Sequence, residues 1–184
     1  MLAYKSLTIF VEFLEAMIDS RRLTIVTMLG VIAFISKGWL PTPIDKMFVV
    51  VQALTFALAS LMISGCGATY ASAVNGALLS LMRMGFFPFS LIFSVIYGLL
   101  IDSSFHIFKV KIGDYVKTVK LTGSLTLSTA ITSLASMYVT TLVGLMPMMP
   151  SLYLAITVIG VLNGVVAGCL TSLIWNRYLH HIKG

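Results

Sequence analysis

Residues 64–102 read Ser64-Gly-Cys-Gly-Ala-Thr-Tyr-Ala-Ser-Ala-Val-Asn-Gly-Ala-Leu-Leu-Ser80, then Leu-Met-Arg83-Met-Gly-Phe-Phe-Pro88, then a second apolar run ending at Asp102. In the first run Ala68, Ser72, Gly76 and Ser80 recur every fourth residue. Residues four apart share a helix face, and a face of small residues lets neighbouring backbones approach closely. This stretch therefore predicts a helical hairpin that acts as a central packing unit. Its far end, Arg83 to Phe89, is placed to line a site.

Outward from that hairpin the whole chain is apolar. Of its 184 residues 59% are hydrophobic and 10% charged, against about 25% charged in soluble domains. That composition predicts an integral membrane protein. A helix needs about 20 apolar residues to cross the hydrocarbon, and the runs lack the alternation of barrel strands. The fold class is all-α, a bundle of six transmembrane helices. The spans are residues 23–40, 46–64, 68–84, 86–103, 121–146 and 152–175. Pro41-Thr-Pro43 stops the first, and Met146-Pro-Met-Met-Pro150 ends the fifth. Residues 104–120 form a polar connection. Residues 1–20 read as an amphipathic helix, with Leu7, Phe10, Val11, Leu14, Met17 and Ile18 on one face and Glu12, Glu15 and Asp19 mostly on another. The chain thus divides into that helix and a membrane domain over 21–184.

The net charge of +6 belongs to topology rather than to nucleic acid. With the N-terminus inside, the cytoplasmic segments hold Lys5, Arg21, Arg22, Lys109, Lys111, Lys117, Lys120, Arg177 and Lys183, and the external ends hold Lys37, Lys46 and Arg83. That distribution follows the positive-inside rule and places both termini in the cytoplasm of a multi-pass cell-membrane protein. Trp39 falls at the outer interface, Trp175 and Tyr178 at the inner one. Cys66 and Cys169 both lie toward the inside, where a disulfide is not expected.

Two more periodicities predict packing faces: Gly160, Gly164 and Gly168 on the sixth span, and Ser124, Ser128, Thr132, Ser136 and Thr140 on the fifth. Chemistry is scarce. His180 and His181 are adjacent rather than four apart, and no Walker motif is present, so neither a metal nor a cofactor is expected. Five of the six acids lie outside the spans, and Asp102 sits at the inner end of the fourth, placed to cap or to pair with Lys120 or Arg177. Without a midplane carboxylate, neither an enzyme nor an ion-coupled pump is indicated.

What remains is a polar set in the outer half: Lys37, Trp39, Arg83, Ser90, Ser94, Tyr138, Thr141 and Tyr153, with Asn75 and Asn163 near the membrane centre. Together they suit a small solute with polar and aromatic parts, neutral or anionic because Asp45 is the one acid nearby. A stand-alone channel using the hydroxyl stripe, or an assembly protein without ligand, are the competing readings.

Six spans in about 180 residues with both termini inside resemble the substrate-binding S component of an energy-coupling factor vitamin transporter. Leu40-Pro-Thr-Pro-Ile44 is similar to the external loop that closes over substrate in that family. Ile63-Ser-Gly-Cys-Gly-Ala-Thr-Tyr70 is similar to its Gly-rich inner turn, and the fourth span ends in an acid after Tyr97-Gly98. The resemblance implies capture of a water-soluble vitamin or precursor, a transmembrane coupling subunit and a pair of ATPases. Many members contact the coupling subunit through Ala-x-x-x-Ala on the first helix. Here Gly30 and Ala33 occupy that face three apart, so the pattern departs from the motif while keeping a small surface for the partner.

Overall fold

Val49-Val-Val-Gln-Ala-Leu-Thr-Phe-Ala-Leu-Ala-Ser-Leu-Met62 is apolar on every side, and such a helix belongs in an interior. In the computed structural model this helix lies at the centre of the bundle. The structure describes residues 20–39, 48–63, 65–82, 88–112, 115–144 and 149–179. The elements are α1 (Ser20–Gly38), α2 (Val49–Met62), α3 (Gly67–Met82), α4 (Phe89–Ile107), a two-residue antiparallel pair β1 (Lys111–Ile112) and β2 (Tyr115–Val116), α5 (Thr118–Leu142) and α6 (Pro150–Ile174). A π-helical turn, Trp175–Leu179, follows α6. The architecture is all-α, with α1, α3 and α6 packed around α2, α4 beside α3, and α5 between α4 and α6. Ala53, Phe56, Ala57 and Ala59 of α2 are sealed from solvent.

Of the expected N-terminal helix over 1–20, residues 1–19 lie outside the described residues, as do the Pro41–Pro43 loop and Arg83, while Ser20 opens α1. Within them, helix ends differ from the sequence reading. α4 runs past Asp102 to Ile107 because Ser104 and Phe105 are buried there, Ser104 Oγ lying 3.0 Å from Ser128 Oγ on α5. α2 is 14 residues, about 21 Å at the α-helical rise. Helix Phe89–Ile107 and the run Tyr153–Leu179 are long and apolar enough to cross a membrane.

Three seams hold the helices at close approach. The Ala68/Ser72/Gly76 face of α3 receives α4, as the period of four predicts. A Cβ on Gly98 would lie 2.7 Å from the Ala68 carbonyl oxygen, and one on Gly76 would lie 2.9 Å from Ser94 Cβ. The glycine face of α6 receives α5: a Cβ on Gly164 would lie 2.5 Å from Thr126 Cα, and one on Gly168 2.6 Å from Thr122 Cα. The hydroxyl stripe of α5 is a packing face as well. Ser124, Ser128, Thr132 and Ser136 donate to carbonyls one turn back, at 2.9, 2.9, 2.8 and 3.1 Å. The third seam joins α1 to α3. A Cβ on Gly30 would lie 2.7 Å from the Ala71 carbonyl oxygen, and Ala33 is fully buried. Gly30 and Ala33, expected to meet a coupling subunit, are thus covered by the chain's own interior, because a small face serves the nearest backbone regardless of which chain supplies it.

Asp102 locks the α3–α4 seam. Its side chain is 6% exposed. Oδ1 accepts from Ala68 N at 3.2 Å, and Oδ2 accepts from Thr69 N at 2.8 Å and Thr69 Oγ1 at 2.7 Å. The first N–H groups of a helix lack partners within it and carry the positive end of the helix dipole. A carboxylate from a neighbouring helix therefore meets both needs. The turn before α3 depends on Gly65, at φ +108°, and on Gly67, whose Cβ would collide with the Ala59 carbonyl.

Asp102→Ala strands the buried Ala68 N–H and the part-buried Thr69 N–H and is expected to cost about 3 kcal/mol, with Asp102→Asn losing less because one oxygen still accepts. Denaturation in detergent checks the order. Gly164→Leu is expected to cost on the order of 3 kcal/mol by overpacking against α5. Gly123→Ala, where no atom lies within 4 Å of the new Cβ, is expected to leave stability unchanged or raise it.

Candidate binding site

Consider first the end of the bundle where α1 stops and α2 starts. Lys37 lies in the last turn of α1, a favourable place for a cation beside a helix C-terminus. It is half-buried, and its Nζ donates to Gln52 Oε1 at 3.3 Å. Gln52, in the first turn of α2, is 4% exposed. Trp39, two residues on, is 75% exposed and stands off the bundle.

Deeper in the same half, Asn75 on α3 is 0% exposed. Its Nδ2 donates to Ser94 Oγ at 2.9 Å, and Ser94 Oγ donates to the Ser72 carbonyl at 2.7 Å. So short a side chain as serine bridges the helices because Gly76 lets α4 come close. Asn75 Oδ1 has no hydrogen-bond partner, nor has the hydroxyl of Tyr97, buried on α4 with its ring 5.7 Å from that of Phe56 on α2. At 1.5 Å per residue, Asn75 lies about 10 Å below the end of α3, and Tyr97 about 12 Å below the start of α4. A buried unpartnered amide oxygen costs about 1–3 kcal/mol, so each such atom calls for an explanation.

The third polar pair joins α5 to α6 at the same end. Tyr153 Oη donates to Thr141 Oγ1 at 2.9 Å, and Thr141 donates to the Met137 carbonyl at 2.8 Å. Ser90, at the start of α4, is half-buried, and Tyr138 is exposed. Asn163 is buried halfway along α6. Arg83 lies outside the described residues.

The structure therefore joins Ser94 to Asn75, Lys37 to Gln52 and Thr141 to Tyr153, three pairs on three helix seams in one half of the bundle. It leaves Trp39 and Tyr138 outside them. Gln52 and Tyr97 are absent from the sequence reading of the site. Their signal was a lone polar group within an apolar run, which in a membrane setting is itself a pointer to function. Among the described residues Asp102 is the one acid, and it is engaged at α3. Among those residues no cluster of three or more His, Cys, Asp or Glu stands in metal-binding array. Among the described residues the arrangement offers neutral hydrogen-bonding groups and one ammonium, a set with hydrogen-bonding capacity and no carboxylate for proton transfer. No protein-family model, curated protein or solved structure matches the chain.

Ser94→Ala leaves Asn75 Nδ2 buried without a partner and is expected to cost about 2 kcal/mol, whereas Asn75→Leu removes donor and orphan acceptor together and is expected to cost less than about 1 kcal/mol. Thermal unfolding of the two variants side by side checks this; equal losses would mean that the Asn75–Ser94 contact carries no net stability.

Proposed function

We propose that the chain is a six-span integral membrane protein that captures a small, water-soluble, vitamin-like molecule at its Trp39 end. The membrane reading is supported by large apolar side chains that face outward on four helices: Ile32 and Ile35, Ile96 and Leu99, Leu127 and Leu134, Leu162 and Val166. Apolar faces of this extent belong against lipid or another protein. The basic residues at the opposite end then set the orientation, with that end and both termini cytoplasmic and the Trp39 end external.

One observation carries the ligand reading: two unpartnered buried polar atoms, Asn75 Oδ1 and Tyr97 OH, lie beneath the end where Lys37 and Gln52 meet. A bound solute would complete the hydrogen bonding of such groups. Lys37 favours a neutral or anionic ligand. The hydroxyls of α5, bonded to their own backbone, lend no support to a conducting path. In this reading the protein is not an enzyme and holds no cofactor. It resembles the S component of a vitamin transporter, and a separate coupling subunit and ATPase pair supply the energy. Because the Gly30/Ala33 face is occupied from within, the coupling subunit docks elsewhere on the surface.

A thermal-shift screen of the detergent-purified protein against B vitamins, their precursors and cobalamin tests this. A ligand at 100 times its Kd adds about 2.7 kcal/mol. The expected result is a clear shift for one chemical class, reduced in Lys37→Gln and in Arg83→Ala. A silent screen with folded protein would overturn the proposal.

A further inference from the structure

At the basic end, an open groove of about 490 Å³ is lined by Thr118 at the start of α5 and by Cys169, Ser172, Leu173, Asn176 and Arg177 at the end of α6. Its floor is fixed. Asn176 Oδ1 accepts from Val116 N at 3.1 Å, Asn176 Nδ2 donates to the Val116 carbonyl at 3.0 Å, and Thr118 Oγ1 lies 2.6 Å from Ser172 Oγ. These bonds tie β2 to the end of α6, with the exposed Lys117 between Val116 and Thr118. The π-helical turn carries Arg177, its guanidinium 5.8 Å from the ring centre of the exposed Tyr178. The one carboxylate among the described residues, Asp102, is held at the start of α3 and does not offset these cations. Away from the charges, the groove meets an apolar track on α6: exposed Leu173, Leu170 and Val166.

We propose that this groove seats an anionic phospholipid, its phosphate against Arg177 with Lys117, the residue before Thr118, on the same rim and one acyl chain along Leu173, Leu170 and Val166. The proposal rests on the membrane-spanning reading. Arginine suits phosphate because its planar fork donates two hydrogen bonds at once. Cationic pockets between helices at the cytoplasmic surface attract acidic headgroups, and aromatic residues such as Tyr178 favour that depth. The apolar track distinguishes a lipid from a free anion, which would leave Leu173 and Leu170 uncovered.

The test uses the full chain as Trp39→Phe, which leaves as the one tryptophan Trp175, buried in the core immediately before Asn176 of the groove lining. The protein is reconstituted into phosphatidylcholine vesicles that contain brominated phosphatidylglycerol or, in parallel, brominated phosphatidylcholine. The expected result is that the acidic lipid quenches Trp175 at about fivefold lower mole fraction. Arg177→Gln or Lys117→Gln, each at an exposed position, should bring the two lipids toward parity. Equal quenching in the parent, or a preference that survives both substitutions together, would overturn the proposal. So would full reversal by millimolar inorganic phosphate at constant ionic strength, which would mark a site for a soluble anion. Flotation separates the two readings: protein that floats with the vesicles but shows no preference defeats the lipid site alone, and protein that does not float defeats the membrane reading.

Discussion

The bundle depends on one buried negative charge. Asp102 reaches from α4 into the first turn of α3, where its two oxygens accept three hydrogen bonds. An isolated carboxylate at that depth would be prohibitively desolvated. Here the amides it meets are the unpaired donors of a helix start, and the dipole of α3 has the complementary sign. The pairing works only if α3 and α4 nearly touch, and Gly98 against Ala68 permits that. Once the seam is closed at that end, Ser94 is in reach of Asn75 about two turns away. The polar geometry of one half therefore follows from an electrostatic lock in the other.

Hydroxyls show how an interior so rich in Ser and Thr stays stable. Most donate to a carbonyl three or four residues back, as Thr27, Ser80, Thr129 and Thr157 do. A hydroxyl satisfied on its own helix asks nothing of its neighbours and still leaves a small surface for packing. Amides and phenols are too long for that solution. This explains why Asn75 and Tyr97 hold unpartnered atoms although the serines around them do not. Thr122 and Thr171, also with unpartnered hydroxyls, sit toward the other end of the α5–α6 region, where Gly168 brings the backbones close.

How much of this was legible in the sequence depended on what each pattern encodes. A period of four in small residues encodes close approach, and both the α3 face and the Gly160/Gly164/Gly168 face met a neighbouring helix. It does not encode which helix arrives. Gly30 and Ala33 therefore read as a surface for a partner, yet α3 meets Gly30 and Ala33 is buried within the bundle. The central position of α2 was written in its lack of any polar face, yet in an apolar chain that signal hardly stands out from a span facing lipid. Thr141 and Tyr153 were legible as residues of one end, because helix ends follow from the breaks at proline and glycine. Their mutual hydrogen bond, like those of Lys37 with Gln52 and Ser94 with Asn75, depends on rotations about helix axes that composition does not fix.

The two ends differ in kind, and the difference follows from where charge can be compensated. Among the described residues at the Trp39 end the polar groups are mostly neutral and are drawn inside, where their hydrogen bonds are directional. At the other end the cations stay on the surface, near a groove whose own polar side chains are already bonded to one another. Interior neutral groups suit recognition of a particular solute, because each unmet hydrogen bond penalises a poor fit. Surface cations suit a membrane face, because attraction to an acidic surface needs charge density more than geometry. Asp102 stands between these regimes. By holding α3 against α4 through its two oxygens, it lets one seam fix the interior while its own charge is spent on the start of α3.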